Sequence, residues 1–180
     1  MMEDLDNIKL NPPALRQSSF YRLLKNIREY NEVYKKSGAV HGCALCIDEN
    51  IEKFIEDVGR HNATDAIAGY MLLEEIDGSD KLFYTTGRLT SEMIIKVAIM
   101  GIPILFSRAG ITKMGLELSQ KLGVTTISRA AGKHFLVYNG ADTVIYDAKP
   151  KEKTGSRFNT SENSEESTDD DRRRGAEFSR

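Results

Sequence analysis

The chain has 180 residues, of which 40% are hydrophobic and 29% charged, with a formal net charge of −2. That size fits one domain with a buried core, and the small net charge excludes a general affinity for nucleic acid or anionic membranes. The longest apolar run, residues 97–106, is too short to span a bilayer. No secretory pattern opens the chain, so with two cysteines a reducing, cytoplasmic setting is expected.

In chain order, residues 1–13 are polar, end in Pro12-Pro13 and read as a flexible lead into a helix. Leu15, Phe20, Leu23, Leu24, Ile27, Tyr30, Val33 and Tyr34 recur at three- and four-residue steps. This spacing predicts one amphipathic helix ending near Ser37-Gly38. Its stripe suits packing on a sheet, with a partner-helix role as the alternative. Residues 39–47 predict a buried strand, Asp48-Glu49-Asn50 a turn, and residues 51–55 the returning strand of a hairpin.

The next stretch, Glu56-Asp57-Val58-Gly59-Arg60-His61-Asn62-Ala63-Thr64-Asp65, sits where a strand hands over to a helix. Unpaired N–H groups at a helix start make such a junction a place for ligands. Gly59 permits a tight turn or a positive φ. Asn62 is the expected N-cap, with Asp65 as the capping-box acid. A well-capped helix start without a ligand is the alternative.

The helix from this junction runs to about Glu75. Residues 81–85 predict a strand, and a helix follows from Thr90 to Met100. Residues 104–107 are the next strand. Thr112 caps a helix to Leu122, and Gly123 ends it. Residues 124–128 form a strand and residues 129–133 a turn. Residues 134–138 and 143–146 read as a closing pair of strands. Strands alternating with helices argue for a three-layer α/β domain over residues 14–147, with a mixed, mostly parallel sheet and helices on both faces. From residue 148 the chain turns polar, with Glu165 to Asp171 acidic and Arg172-Arg173-Arg174 basic, and a disordered tail is expected.

Three turns of this scheme follow a strand, precede a helix and carry both a glycine and an arginine. They contain Gly59 and Arg60, Gly87 and Arg88, and Arg108 and Gly110. In a parallel sheet they share the carboxyl edge, where three guanidinium groups and helix starts suit a phosphate or pyrophosphate. The alternative pairs these arginines with Glu56, Asp57 or Glu92. No Walker A or Rossmann glycine pattern is present.

The same residues carry a family resemblance, over roughly residues 15–147. Ser37-Gly38-Ala39-Val40-His41 resembles the TGGVH block of the FdhD family, the formate dehydrogenase accessory sulfurtransferases. Residues 56–65, EDVGRHNATD, resemble its most distinctive block. Thr86-Gly87-Arg88 and the helix after it resemble its SGR turn, and Met100-Gly101-Ile102-Pro103 its AGIP strand entry. Residues 134–138 resemble its closing Phe-x-x-Tyr strand.

The resemblance implies a cytidine-deaminase-like fold and a homodimer. It implies binding of a molybdenum bis(molybdopterin guanine dinucleotide) cofactor, with GDP as a mimic. It implies sulfur transfer from a cysteine desulfurase to that cofactor before delivery to formate dehydrogenase. The family's cofactor-binding run carries over to Phe135, Leu136, Val137, Tyr138, Asn139 and Gly140. The arginine edge adds Arg60, His61, Asn62, Gly87, Arg88, Ser107 and Arg108 as cofactor-binding candidates.

One departure bears on the sulfur chemistry. The family carries its persulfide on a Cys-x-x-Cys loop of an N-terminal domain that this sequence does not contain. The chain's own Cys43-Ala44-Leu45-Cys46 falls on a predicted strand, where residues three apart face opposite ways. A buried structural pair is expected, with a redox or persulfide role as the alternative. Zinc-deaminase chemistry needs His-x-Glu and Pro-Cys-x-x-Cys, and neither occurs, so no metal site is expected. Three functions stay open. They are a cofactor-binding accessory protein, a nucleotide enzyme using Asp57 and His61 as acid and base, and a structural or regulatory fragment without ligand.

Overall fold

A six-stranded sheet in the order β3-β2-β4-β5-β6-β7 runs through the centre of the molecule. The computed structural model describes Leu5 and residues 7–148, so the expected tail beyond Ala148 lies outside the described residues. The strands are β2 (His41–Ile47), β3 (Asn50–Asp57), β4 (Leu82–Thr85), β5 (Ile104–Ser107), β6 (Thr125–Ala131) and β7 (His134–Asn139). A separate two-stranded ribbon joins β1 (Leu15–Arg16) to β8 (Val144–Ile145). The helices are α1 (Gln17–Tyr30), α2 (Glu32–Ser37), α3 (Arg60–Leu73), α4 (Ser91–Ile99) and α5 (Lys113–Leu122).

The strands β4 and β5 are buried at every position, because helices cover both faces of the sheet. Side chains alternate between two cores. Cys43, Leu45, Phe83 and Leu105 face α3, α4 and α5, where they meet Ile67, Met93, Val97 and Leu122. Ala44, Cys46, Tyr84 and Phe106 face α1, where they meet Phe20, Leu23, Leu24 and Ile27. Each such large apolar side chain contributes about 1.5–3 kcal/mol of burial. Phe20 meets Phe106 edge-on, with ring centroids 5.1 Å apart.

The sheet is mixed α/β as expected, but it is not mostly parallel. Two neighbouring pairs, β4·β5 and β5·β6, are parallel. Three pairs, β2·β3, β2·β4 and β6·β7, are antiparallel. Since β2 opposes both β3 and β4, the strands β3, β4, β5 and β6 still run the same way. Their carboxyl ends therefore share one edge.

Four further expectations are corrected. The single helix over residues 15–37 is two helices broken at Asn31, whose ψ of 60° leaves the helical range. Asn31 Nδ2 closes the first helix on the Ile27 carbonyl at 3.0 Å. The Glu56 carboxylate starts the second by accepting from Val33 N (2.9 Å) and Tyr34 N (2.8 Å). The apolar period misled here because Tyr30, Val33 and Tyr34 remain exposed at 37–49% and belong to no core. Residues 134–138 and 143–146 do not pair with each other: β7 joins β6, while Val144 lies beside Leu15.

The N-cap of α3 is Gly59, not Asn62, and its φ is −105°, so no left-handed geometry is used. Asp65 does not close a capping box; it pairs with Lys96 at 2.5 Å. Finally, some of the described lead residues touch the domain. Ile8 and Leu10 pack on the core, and Leu10 N donates to the Leu122 carbonyl at 2.9 Å.

Candidate functional site at the carboxyl edge of the sheet

The three arginine-bearing turns do lie on the shared carboxyl edge, after β3, β4 and β5. The first is held by Asp57, whose Oδ1 accepts from Gly59 N at 2.7 Å. Helix α3 then begins at Arg60 with no side chain capping its first N–H groups. In the second turn Thr85 Oγ1 accepts from Gly87 N at 3.1 Å, and the Gly87 carbonyl accepts from Ser107 Oγ at 2.5 Å. Helix α4 also starts without a side-chain cap. The third turn is held by Ser107 Oγ, which accepts from Ala109 N at 2.9 Å. Of the three helices that follow these turns, α5 alone has a side-chain N-cap, Thr112, which accepts from Gly115 N at 3.1 Å.

The Arg60 stem lies across Gly87. A Cβ on Gly87 would stand 2.5 Å from Arg60 Cδ, so a glycine is required for this contact. Arg60 Nε is buried and has no hydrogen-bond partner. Arg88 and Arg108 are exposed. None of the three guanidinium groups forms an ion pair among the described residues. The carboxylates that would have paired them are otherwise engaged. Glu56 starts α2, Asp57 holds Gly59, and Glu92 Oε2 meets His61 Nε2 at 3.4 Å. Asn62 is exposed beside Gly59. Asp57 and His61 bind separate partners, Gly59 N and Glu92, and not each other.

A cleft of about 480 Å³ opens at this edge, lined by Tyr34, Val40, His41, Thr86, Arg108 and Ala109 among others. Thr86 Oγ1 accepts from Gly42 N and meets His41 Nδ1, both at 3.1 Å. The Arg108 guanidinium stands 6.0 Å from the centroid of the Tyr34 ring. Tyr34, His41 and Thr86 were missed as site residues, although His41 and Thr86 fell within the blocks that carried the resemblance. Their signal was position at the ends of β2 and β4, which requires knowing that those strands are neighbours. Below the cleft, burial pushes the Tyr84 phenol well up, against the opposing pull of Arg108, so it stays protonated.

The run Phe135–Gly140 is placed elsewhere. Strand β7 is the opposite edge of the sheet from β3. Phe135 packs edge-on against Phe20 and Tyr21, at 5.2 and 5.9 Å. Val137 packs on the same core, while Leu136 and Tyr138 are exposed. Asn139 Nδ2 donates to the Val124 carbonyl at 2.7 Å, at the amino end of β6. Gly140 has φ 78°, and any Cβ there would collide with Thr125. A groove of about 510 Å³ along β7 is lined by Tyr21, Arg129, Lys133, His134, Phe135 and Leu136 among others. β7 runs antiparallel to β6, so the run starts near the carboxyl edge on the far side of the sheet from β3 and ends at the amino edge at Asn139 and Gly140.

Cys43 and Cys46 are both free, and both are fully buried. They lie in the two different cores, as the strand geometry required. Cys43 Sγ is 3.4 Å from Thr85 Oγ1 and 3.7 Å from Thr64 Oγ1. Burial still pushes its thiol up, outweighing those hydrogen bonds and the Arg60 charge. Burial likewise pushes the Cys46 thiol up, and Glu52 adds to the effect. Neither is the accessible thiolate that sulfur transfer requires. No group of three metal-ligating side chains occurs among the described residues. No helix among them is long and apolar enough to cross a membrane.

Fold and edge together define a mixed α/β domain with a cleft and three arginine-bearing turns at the carboxyl ends of its strands. The FdhD/NarQ family model matches residues 1–145. A "Sulfur carrier protein FdhD" from Bacillus pumilus is 36% identical over 117 residues, 65% of this chain and 45% of that protein. One from Listeria monocytogenes is 32% identical over 141 residues, 78% of this chain and 54% of that protein. A crystal structure described as a putative formate dehydrogenase accessory protein, from Desulfotalea psychrophila, superposes with a TM-score of 0.73 at 31% identity. That match covers 81% of this chain and 63% of the other. The chain belongs to the FdhD/NarQ family. It spans about half the length of the relatives it matches.

Proposed function

We propose that this chain is the cofactor-binding part of a formate dehydrogenase accessory protein. It binds a molybdenum bis(molybdopterin guanine dinucleotide) cofactor at the carboxyl edge, with GDP as a mimic. The observation that carries this reading is the set of three guanidinium groups without ion pairs beside two uncapped helix starts. Such an arrangement suits phosphate oxygens. The residues present fit the group. Arg60, with its orphaned Nε over Gly87, Arg88 and Arg108 would hold phosphates, with His61, Asn62 and Ser107 around them. Bound there, the cofactor supplies the metal centre that receives sulfur.

The chain acts in the cytoplasm as a homodimer with a cytidine-deaminase-like fold, and the β7 run contributes to the bound cofactor through the dimer. Sulfur comes from a cysteine desulfurase, and the loaded cofactor goes to formate dehydrogenase. The thiol that relays sulfur lies outside the 180 residues, since both cysteines here are buried and protonated. The chain is thus a binding module without sulfurtransferase activity of its own. Calorimetric titration with GDP tests the site, and no measurable affinity would refute it. Incubation with a cysteine desulfurase and radiolabelled cysteine tests the relay. Stoichiometric label on the chain, lost in a Cys43→Ser, Cys46→Ser variant, would refute the assignment of the thiol to another polypeptide segment.

A further inference from the structure

A second, smaller cavity lies between the last turns of α1 and the sheet, directly under Arg108. It measures about 30 Å³, against the roughly 10–15 Å³ that one water requires. Its lining includes Arg28, Asn31, Tyr84, Arg108, Ala131 and Gly132, and no carboxylate. Two of these side chains are almost wholly buried and carry a polar atom with no partner. Tyr84 is 1% exposed, and its hydroxyl proton has no acceptor: the polar group that faces it is the Arg108 guanidinium, which can only donate. Asn31 is 4% exposed and its Oδ1 is unpaired. The amide orientation of Asn31 is set by its Nδ2, which donates to the Ile27 carbonyl. Buried polar atoms without partners are rare and call for an explanation.

The chemistry of the lining selects the guest. Two guanidinium groups and a phenol hydroxyl are donors, and a guanidinium cannot accept. They favour an anion. The Asn31 oxygen is an acceptor that a bare anion would leave unsatisfied and would repel. A guest that satisfies both sides is an anion that carries its own proton donor. We propose that this cavity is a binding site for such a small anion, the class of hydrosulfide, bicarbonate and hydrogen phosphate. It is a subsite under the cleft described above and shares Arg108 with it, but it does not depend on nucleotide binding there.

The test uses the full chain at pH 8 and constant ionic strength. Thermal melts and calorimetry are run with sodium hydrosulfide, bicarbonate, phosphate, nitrate and chloride. At least one proton-bearing anion binds and raises the melting temperature, while nitrate and chloride do not; the three arms show which member of the class fits. Tyr84→Phe weakens that binding at least tenfold and leaves GDP affinity unchanged. Arg28→Gln, at an exposed side chain that does not threaten folding, weakens it severalfold and provides the readout if Tyr84→Phe does not fold. Equal responses to nitrate and chloride would overturn the proposal. So would no response to any anion, which would mean that water fills the cavity, or unchanged affinity in both variants. GDP binding without anion binding would sink the subsite and spare the cleft. Anion binding without GDP binding would do the reverse.

Discussion

Replacing Arg60 with alanine removes one guanidinium from the sheet edge and leaves both hydrophobic cores intact. If a phosphate sits against that group, the variant loses one charge-assisted interaction of about 1.5–3 kcal/mol. This corresponds to a roughly 10- to 150-fold weaker affinity for GDP. The effect on folding has the opposite sign. Arg60 is the first residue of α3, makes no ion pair among the described residues, and leaves Nε unpaired. Alanine is the better helix former, and a cation at a helix N-terminus opposes the dipole. The melting temperature should therefore hold or rise slightly while affinity falls. Gly87→Ala is the companion variant. Its Cβ would meet Arg60 Cδ at 2.5 Å, so the guanidinium must move although its charge remains. Calorimetry with GDP and a thermal melt decide the matter. An unchanged Kd in Arg60→Ala would refute the placement of the phosphate, and a large loss of stability would show that Arg60 is structural.

Alkaline pH should destabilise the fold. Burial holds the Cys43 and Cys46 thiols above their usual range, so the unfolded chain ionises first. Stability is then full below the unfolded thiol pKa of about 8.5 and falls as pH rises beyond it. Urea unfolding at pH 8, 9 and 10 should show that fall, and a Cys43→Ala, Cys46→Ala chain should show less of it; stability rising over this range would contradict the burial argument. Glu56→Ala removes the carboxylate that starts α2 and should cost about 0.5–2 kcal/mol, read by chemical denaturation. An effect within error would mean that α2 is held by packing alone. Thr126→Val replaces a fully buried hydroxyl with no partner, and should be neutral or stabilising by up to about 1 kcal/mol. A clear loss of stability would show that the hydroxyl has a partner after all.

The order of helices and strands was legible along the chain because period and turn chemistry act over a few residues. Thr112 as N-cap and Gly123 as the left-handed end of α5 are where local chemistry placed them. The opposite facing of Cys43 and Cys46 followed from the two-residue repeat of a strand. The arginine turns were legible for the same reason, since each is a short glycine-bearing junction.

What the tertiary structure alone decided involves partners distant in sequence. Glu56 splits the first predicted helix from a strand 22 and 23 residues away. Ser18 reaches Asp147 across 129 residues, which fixes the ribbon of β1 and β8. The neighbours of β2 set which residues wall the cleft, and the pairing of β7 with β6 puts the Phe135–Gly140 run across the sheet from β3 and Arg60. A single chain's amino-acid order specifies its local conformations through near-neighbour sterics and hydrogen bonds. Which surfaces then meet depends on burying the apolar faces of all the elements at once, and that choice exists only in the assembled fold.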